Sequence, residues 1–432
     1  MPDLPDQFVI KGGRVVDTNG DRVADVLVQG GVVAAVGRRV EGAPVLDAAG
    51  CVVAPGLVDL HVHLREPGDE DAETIETGAR AAALGGFTAV VAMPNTRPPL
   101  DDAAVVASVL AAGRTAPCDV VASGCITKGR AGGELAPMGE LHALGVRIFT
   151  DDGAHVGDAG VMRNALEYAG SLPGAVIAQH AEDPTLAAGG HMHEGAWSSR
   201  LGIPGRPGAA EATVVARDVM LAELTDTPVH FLHLSTAAAV DIVRDAKRRG
   251  ISVTAEVAPH HFTLTDAECR TFDPVFKVHP PLRTDADVAA IKEGLADGTI
   301  DAIATDHAPH VPEAKEQPFE EAPPGMLGLE TAFALTLGEL VEPGVLGLAD
   351  ALACLSWRPA AIAGLDGHGG PIEPGRPANL CVVDPAVRWE VDPSRLASRS
   401  RNTPYAGRKL TGRVRHTVLH GEPVVVDGIA QR

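Results

Sequence analysis

No basic stripe runs through this 432-residue chain, in which 36 lysines and arginines face 57 aspartates and glutamates for a formal net charge of −21. That balance argues against a nucleic-acid or anionic-membrane surface. It does not exclude a small anionic substrate, because one arginine can dominate a closed pocket. No run of about 18 apolar residues offers a membrane span. The opening MPDLPDQFVIKGG lacks the basic start and apolar core of a signal peptide, so a cytoplasmic location is expected. The six cysteines (51, 118, 125, 269, 354 and 381) form no CxxC pair. They read as reduced structural thiols rather than ligands or disulfides. Short-period repeats and a low-complexity tail are absent too.

What is present is ordinary globular composition, 45% hydrophobic and 22% charged, in a chain long enough for one large domain and a smaller one. Residues 7–55 read as short alternating strands with glycine turns, such as FVIKGGRVVD and ADVLVQGGVVAAVG. The stretch 376–432 reads the same way. Between them, apolar strand-like runs alternate with alanine-rich helical stretches. The runs are 57–63, 88–93, 119–124, 146–152, 175–180, 229–235, 251–257 and 301–307. Helical patterns at 72–85 and 236–250 are the clearest of those that follow them. Eight strand–helix units predict an α/β (β/α)8 TIM-type barrel over residues 56–369, with a doubly wound sheet as the alternative. Two connections, 189–208 and 308–328, are long enough to be lids or binding loops.

The polar residues collect at predicted strand ends, where a barrel carries its active site. His61 and His63 end the first run, Asp151-Asp152 the fourth, His180 the fifth, His233 the sixth and Asp306 the eighth. Strand periodicity puts His61 and His63 on one face. Alone, His180 or His233 would read as a hydrogen-bonded core histidine, and Asp151-Asp152 as a helix cap. Their joint arrangement on five strands favours a site for zinc or a similar divalent ion, which can lower the pKa of bound water toward neutrality. His191-Met192-His193 repeats the HxH spacing without a strand before it and reads as a loop feature. His260 and His261 are adjacent, so on a strand they would face opposite ways, with packing or supporting roles. His307 points away from Asp306 by the same rule.

The motifs HVHLREPG, MPNT, FTDDG, AQHAED, GIPGRP, HLST, EVAPHH, KVHPPLR and ATDHAPH follow one another between residues 61 and 310, within a match that runs from about residue 10 to the C-terminus. Together they resemble dihydroorotase of the amidohydrolase superfamily. The resemblance implies a small β-sandwich domain built from both termini, residues 1–55 and 370–432, beside the barrel. It implies two zinc ions per chain, one on His61, His63 and Asp306 and the other on His180 and His233, bridged by Asp152. Relatives that bridge with a carbamylated lysine offer a contrast, since Lys128 reads as a loop lysine. Arg65 and Asn95 would hold a substrate carboxylate, with His63 beside them. His310 and the Pro324-Gly325 loop would touch a pyrimidine ring, and so would His279, where the family pattern usually has asparagine. Asp306 would shuttle the catalytic proton. The implied reaction is the reversible cyclisation of N-carbamoyl-L-aspartate to dihydroorotate in de novo pyrimidine synthesis. The resemblance also implies a homo-oligomer and admits a complex with aspartate carbamoyltransferase. Two rivals stand beside it: an allantoinase- or hydantoinase-like enzyme, and a non-catalytic dihydroorotase-like subunit of a carbamoyltransferase complex.

Overall fold

The computed structural model describes residues 7–41 and 44–432. The opening MPDLPD, part of the stretch read for a targeting signal, lies outside them. All eight apolar runs form strands: β1 (Leu57–Val62), β2 (Phe87–Ala92), β3 (Asp119–Ala122), β4 (Ile148–Phe149), β5 (Val176–Gln179), β6 (Val229–Phe231), β7 (Val253–Val257) and β8 (Ala302–Ile303). Every pairing among them is parallel. Two single bridges then close the ring. Gly124 with Phe149 joins β3 to β4, and Val62 with His307 joins β8 to β1. A closed ring is a barrel and excludes the doubly wound sheet, whose edge strands stay open.

The strands are continuous apolar runs because they are enclosed on both faces. β1 and β2 are buried at every position. Inside the barrel, Leu60, Val91, Met93, Ile148, Ala178, Leu232, Ala302 and Ala304 pack into one cluster. A leucine cut to alanine in such a core costs about 2–5 kcal/mol, through lost transfer energy and the cavity left behind. The predicted helix at 72–85 begins later, at Ile75, because Thr74 caps it by accepting from the Thr77 amide. The helix Ala237–Arg248 is capped likewise by Thr236 and ends on Lys247 and Arg248, which complement its dipole.

The strand-rich flanks form two sheets. Strands from both ends of the chain share a seven-stranded sheet, in which Val52–Pro55 pairs with Leu380–Glu390. A four-stranded sheet is built from N-terminal strands alone. Their facing side chains, including Phe8, Ile10, Val26, Val53, Leu380, Val382 and Val418, make one separate core. That is a sandwich. Gly56 carries the chain from this sandwich into β1. A Cβ there would fall 2.1 Å from Thr88 Oγ1, so the close approach requires glycine.

Both long connections reach the open end of the barrel. The first holds a helix, Ala196–Leu201, and a short parallel pair between Met192–His193 and Gly205–Arg206. The second has a single short helix, Pro312–Lys315.

Candidate active site

The strand ends bring together the six residues singled out in the sequence. His61 lies within β1, and His63, Asp152, His180, His233 and Asp306 follow their strands within three residues. All six are buried, none more than 6% exposed. Asp152 sits at the centre. Its Oδ1 lies 3.4 Å from His61 Nε2, 3.4 Å from His180 Nδ1 and 3.5 Å from His233 Nε2. Its Oδ2 lies 3.5 Å from His63 Nε2. Asp306 Oδ1 approaches His63 Nε2 at 3.1 Å and His61 Nε2 at 3.5 Å.

These distances fit a cation. Two ligands about 2.1 Å from a tetrahedral ion stand roughly 3.4 Å apart. His61 Nε2 and Asp152 Oδ1 are buried without a hydrogen-bond partner, a costly state unless something else satisfies them. The electrostatics agree. Burial opposes a charge on His61, yet Asp152 and Asp306 outweigh it and raise its pKa. Burial opposes the charge on His180 too, but Asp152 and Glu182 lift its pKa to about 9. Burial likewise resists the ionised forms of Asp152 and Asp306, but the surrounding histidines hold both carboxyls below the usual range. The two ionised carboxylates concentrate negative charge at one point, which attracts a cation.

The backbone is strained where the site needs it. Arg65, His233 and Asp306 have φ of 62°, 30° and 47°, a region that non-glycine residues enter at a cost.

A layer of partners orients the cluster, and part of it was not foreseen from sequence. Glu256 on β7 accepts from His61 Nδ1 at 2.9 Å and from His230 Nε2 at 3.1 Å. That fixes His61 with its Nε2 lone pair toward Asp152 and Asp306. The signal for Glu256 was a charged residue inside a largely buried strand, where a carboxylate must be paired. Asn95 Oδ1 takes the Nδ1 proton of His63 at 2.9 Å, so the same residue orients a histidine and keeps its amide NH2 for a ligand. Asp151 is buried but turned away, accepting from the Ile126 and Thr127 amides at 2.9 and 3.0 Å and from the Thr127 hydroxyl. Lys128 is half-exposed and paired with Glu134.

A cavity of about 460 Å³ opens above the cluster, lined by His63, Arg65, Asn95, Asp152, His180, His233, His279, Asp306, His310, Pro324 and Gly325. Every residue expected to touch substrate is in that wall. Arg65 Nε donates to Pro309 O at 3.1 Å and its Nη2 lies 3.5 Å from His310 Nε2. Among the described residues, no carboxylate pairs with it. His310 donates from Nε2 to Pro324 O at 2.8 Å. Burial, reinforced by Arg65, pushes its pKa down to about 3. His279 is likewise driven down to about 3 by burial and by Arg206, and its Nε2 has no partner. It presents a neutral ring to the cavity. Arg206, from the GIPGRP stretch, forms an ion pair with Glu182, and both line the cavity, a long-range contact without a local sequence signal.

The remaining histidines sit elsewhere. His193 Nδ1 accepts from Arg283 at 3.1 Å. His307 turns to Glu73 and the Gly328 amide. One expectation needs correction: His260 and His261 lie in a helical turn, Pro259–Thr263, not on a strand. Pro259 starts that turn, and both rings are buried with centroids 4.3 Å apart. His261 Nε2 donates to Pro280 O.

Comparison with known proteins places this site. A family model described as Dihydro-orotase-like matches residues 50–239. A dihydroorotase of Streptomyces coelicolor is 52% identical, covering 97% of this chain and 98% of the relative. One of Pelotomaculum thermopropionicum is 50% identical, covering 98% and 99%. The chain belongs to the dihydroorotase family. A third relative, the dihydroorotase of Mycobacterium leprae, is 50% identical across 96% of the chain and 97% of its own length. Among solved structures, an L-hydantoinase from Arthrobacter aurescens superposes with a TM-score of 0.89 at 26% identity, covering 98% of this chain and 97% of that one. A dihydropyrimidinase from Brevibacillus agri gives 0.86 at 23%, covering 98% and 96%, which speaks for the fold alone. The dihydroorotase family is metal-dependent, and the chain shares its barrel fold with these solved structures.

Proposed function

We propose that this chain is a dihydroorotase, a hydrolase acting on a cyclic amide. It interconverts (S)-dihydroorotate and N-carbamoyl-L-aspartate in de novo pyrimidine biosynthesis. The observation that carries the reading is full-length identity of about 50% to proteins named dihydroorotase, with an unpaired arginine facing the histidine–aspartate cluster. We assign two zinc ions: His61, His63 and Asp306 would hold one, His180 and His233 the other, with Asp152 shared. Bound there, the ions supply Lewis acidity and lower the pKa of coordinated water to near neutral.

The chain's own residues do the rest. Arg65 and the Asn95 amide grip the substrate carboxylate, and His310 and the Pro324-Gly325 backbone meet the ring. His279 meets the ring as a neutral donor or acceptor in place of the usual asparagine. In hydrolysis, the attacking water forms a bond to the ring amide carbonyl carbon and loses a proton to Asp306. Asp306 then delivers that proton to the ring nitrogen as the carbon–nitrogen bond breaks. Cyclisation runs the same steps in reverse. Asp306 is suited to this because the histidines keep it ionised. Asp306→Asn keeps the shape but cannot carry the proton, so turnover should fall roughly 10²-fold. Near-normal turnover of that variant would remove Asp306 from the proton path.

The hydantoinase reading is weaker, because a neutral ring leaves the buried Arg65 guanidinium without a partner. The non-catalytic-subunit reading is weaker because all six candidate ligands are retained and converge. Parent protein should hydrolyse dihydroorotate at least about 100-fold faster than allantoin or hydantoin, since losing the partner of a buried charge costs roughly 3 kcal/mol. Side-by-side initial rates, with metal content measured on the same samples, test it. Faster turnover of hydantoin would overturn the assignment. Homo-oligomer formation, and a complex with aspartate carbamoyltransferase, belong to the same proposal.

A further inference from the structure

The long connection 308–328 carries an ammonium group held by backbone carbonyls instead of a carboxylate. Lys315 Nζ donates to three backbone carbonyls, Pro323 O at 2.8 Å, Pro274 O at 3.0 Å and Lys277 O at 3.5 Å. Among the described residues it makes no ion pair. Three carbonyls are all that its three donors have.

Those carbonyls belong to the two segments that form one wall of the cavity. Pro323 precedes Pro324 and Gly325, and Lys277 precedes Val278 and His279. All four following residues line the cavity. The segments are stitched further. Gly325 N donates to Lys277 O at 2.8 Å, and Lys277 Nζ donates to Glu320 O at 2.8 Å. Lys277 O therefore receives both Gly325 and Lys315.

We infer that Lys315 is a positioning residue for the substrate: its ammonium locks the 308–328 loop onto the 274–283 segment and so sets the ring-binding wall. This deepens the dihydroorotase reading and rests on it. Lys315 touches no metal-ligating candidate, so its role is separable from the cluster. The lock is also sensitive to protonation. Burial lowers the Lys315 pKa to about 7, aided by the like charge of Lys277 and opposed by Asp273. The charged and titratable groups around it are Lys277 and Asp273 on the facing segment, Arg65 and His310 at the barrel mouth, Glu313 on its own helix and Glu316 at that helix's end. Lys277 itself is lowered to about 8 by burial and by Arg206. The protonated form offers three donors to three acceptors. The neutral amine offers two and brings a lone pair against carbonyl oxygens, so the lock loosens as pH rises through neutrality.

The test is the KM for dihydroorotate in the hydrolytic direction, for parent and Lys315→Met, at pH 6.5, 7.5 and 8.5. Parent KM should rise about tenfold across that range. Lys315→Met should show the raised KM already at pH 6.5 and change less than about threefold with pH. Its kcat at fixed pH should stay within about threefold of the parent, with metal content unaltered. A pH-invariant parent KM overturns the proposal whether or not the variant folds. A folded variant with parental KM at pH 6.5, or one that loses kcat alone, overturns it too. A parent that turns over no dihydroorotate at any pH instead removes the reading on which this one rests.

Discussion

Asp152→Ala should strip the protein of metal and activity together, while Asp151→Ala should keep most of both. The two aspartates are neighbours in sequence, yet their surroundings differ. Asp152 stands within 3.4–3.5 Å of nitrogens on four histidines from three strands. Asp151 satisfies two amides and a hydroxyl of the segment after β3. Parent protein should bind about two divalent ions, as six ligands with one shared carboxylate suit a binuclear site. Without Asp152, the four histidines lose the one carboxylate that stands within 3.5 Å of them all, and Asp306 remains against His61 and His63. Loss of turnover of at least about 10³-fold is expected, because metal-assisted catalysis has no substitute in this cavity. Asp151→Ala instead leaves two buried amides unpaired, at about 1–3 kcal/mol each in stability. Its melting temperature should fall while its metal stays. Metal analysis and thermal unfolding of both variants separate the two outcomes. Equal metal loss in both, or greater loss in Asp151→Ala, rejects Asp152 as the shared ligand.

The contrast between Asp151 and Asp152 also marks what a sequence can say. The eight strands were legible because buried parallel strands are apolar throughout, and a polar residue at such a strand's end stands out. His180, His233 and Asp306 were readable for that reason, and His61 and His63 by strand periodicity. Which of two adjacent aspartates faces the site was supplied by family resemblance, since periodicity alone does not fix the register after β4. His260 and His261 were misplaced because one helical turn after a strand is too short to leave a periodic trace. Glu256 did leave a trace, a carboxylate in a strand with no exposed face, but its partner His61 lies 195 positions away in the chain. The Lys315 cage and the Arg206–Glu182 pair leave none. Their acceptors are set by how two loops fold over the barrel mouth, and a backbone carbonyl has no sequence signature.

The hydantoinase-like fold sharpens the question of what selects the substrate. A shared barrel with the Arthrobacter aurescens L-hydantoinase at a TM-score of 0.89 and 26% identity means that architecture does not choose between cyclic amides. The choice must lie in a few side chains of the wall. Arg65 is the candidate with the right charge, and its strained backbone, at φ 62°, holds it two residues beyond His63 at the cavity mouth. Its contacts with Pro309 O and His310 fix one edge of the guanidinium, leaving the rest to a ligand.

Arg65→Met should therefore nearly abolish hydrolysis of dihydroorotate while leaving metal content untouched. A fork of two parallel hydrogen bonds to a carboxylate is charge-assisted and selective in geometry. Removing one partner of such a buried pair costs on the order of 3 kcal/mol or more, which is about 150-fold or more in kcat/KM. Methionine is unbranched at Cβ, as arginine is, so the strained φ is no harder to hold and the fold should survive. Arg65→Lys keeps the charge but loses the fork, and should fall between parent and methionine. Metal should remain, since a guanidinium offers no lone pair to a cation. A neutral dihydropyrimidine without the carboxylate provides the control. It should be a poor substrate for the parent, with a rate that barely changes on substitution. Equal hydrolysis of dihydroorotate by Arg65→Met and parent would place the carboxylate elsewhere. The cavity offers one other arginine, Arg206, and Glu182 already neutralises it. With Arg65 removed, no unpaired guanidinium remains on the described cavity wall to replace it.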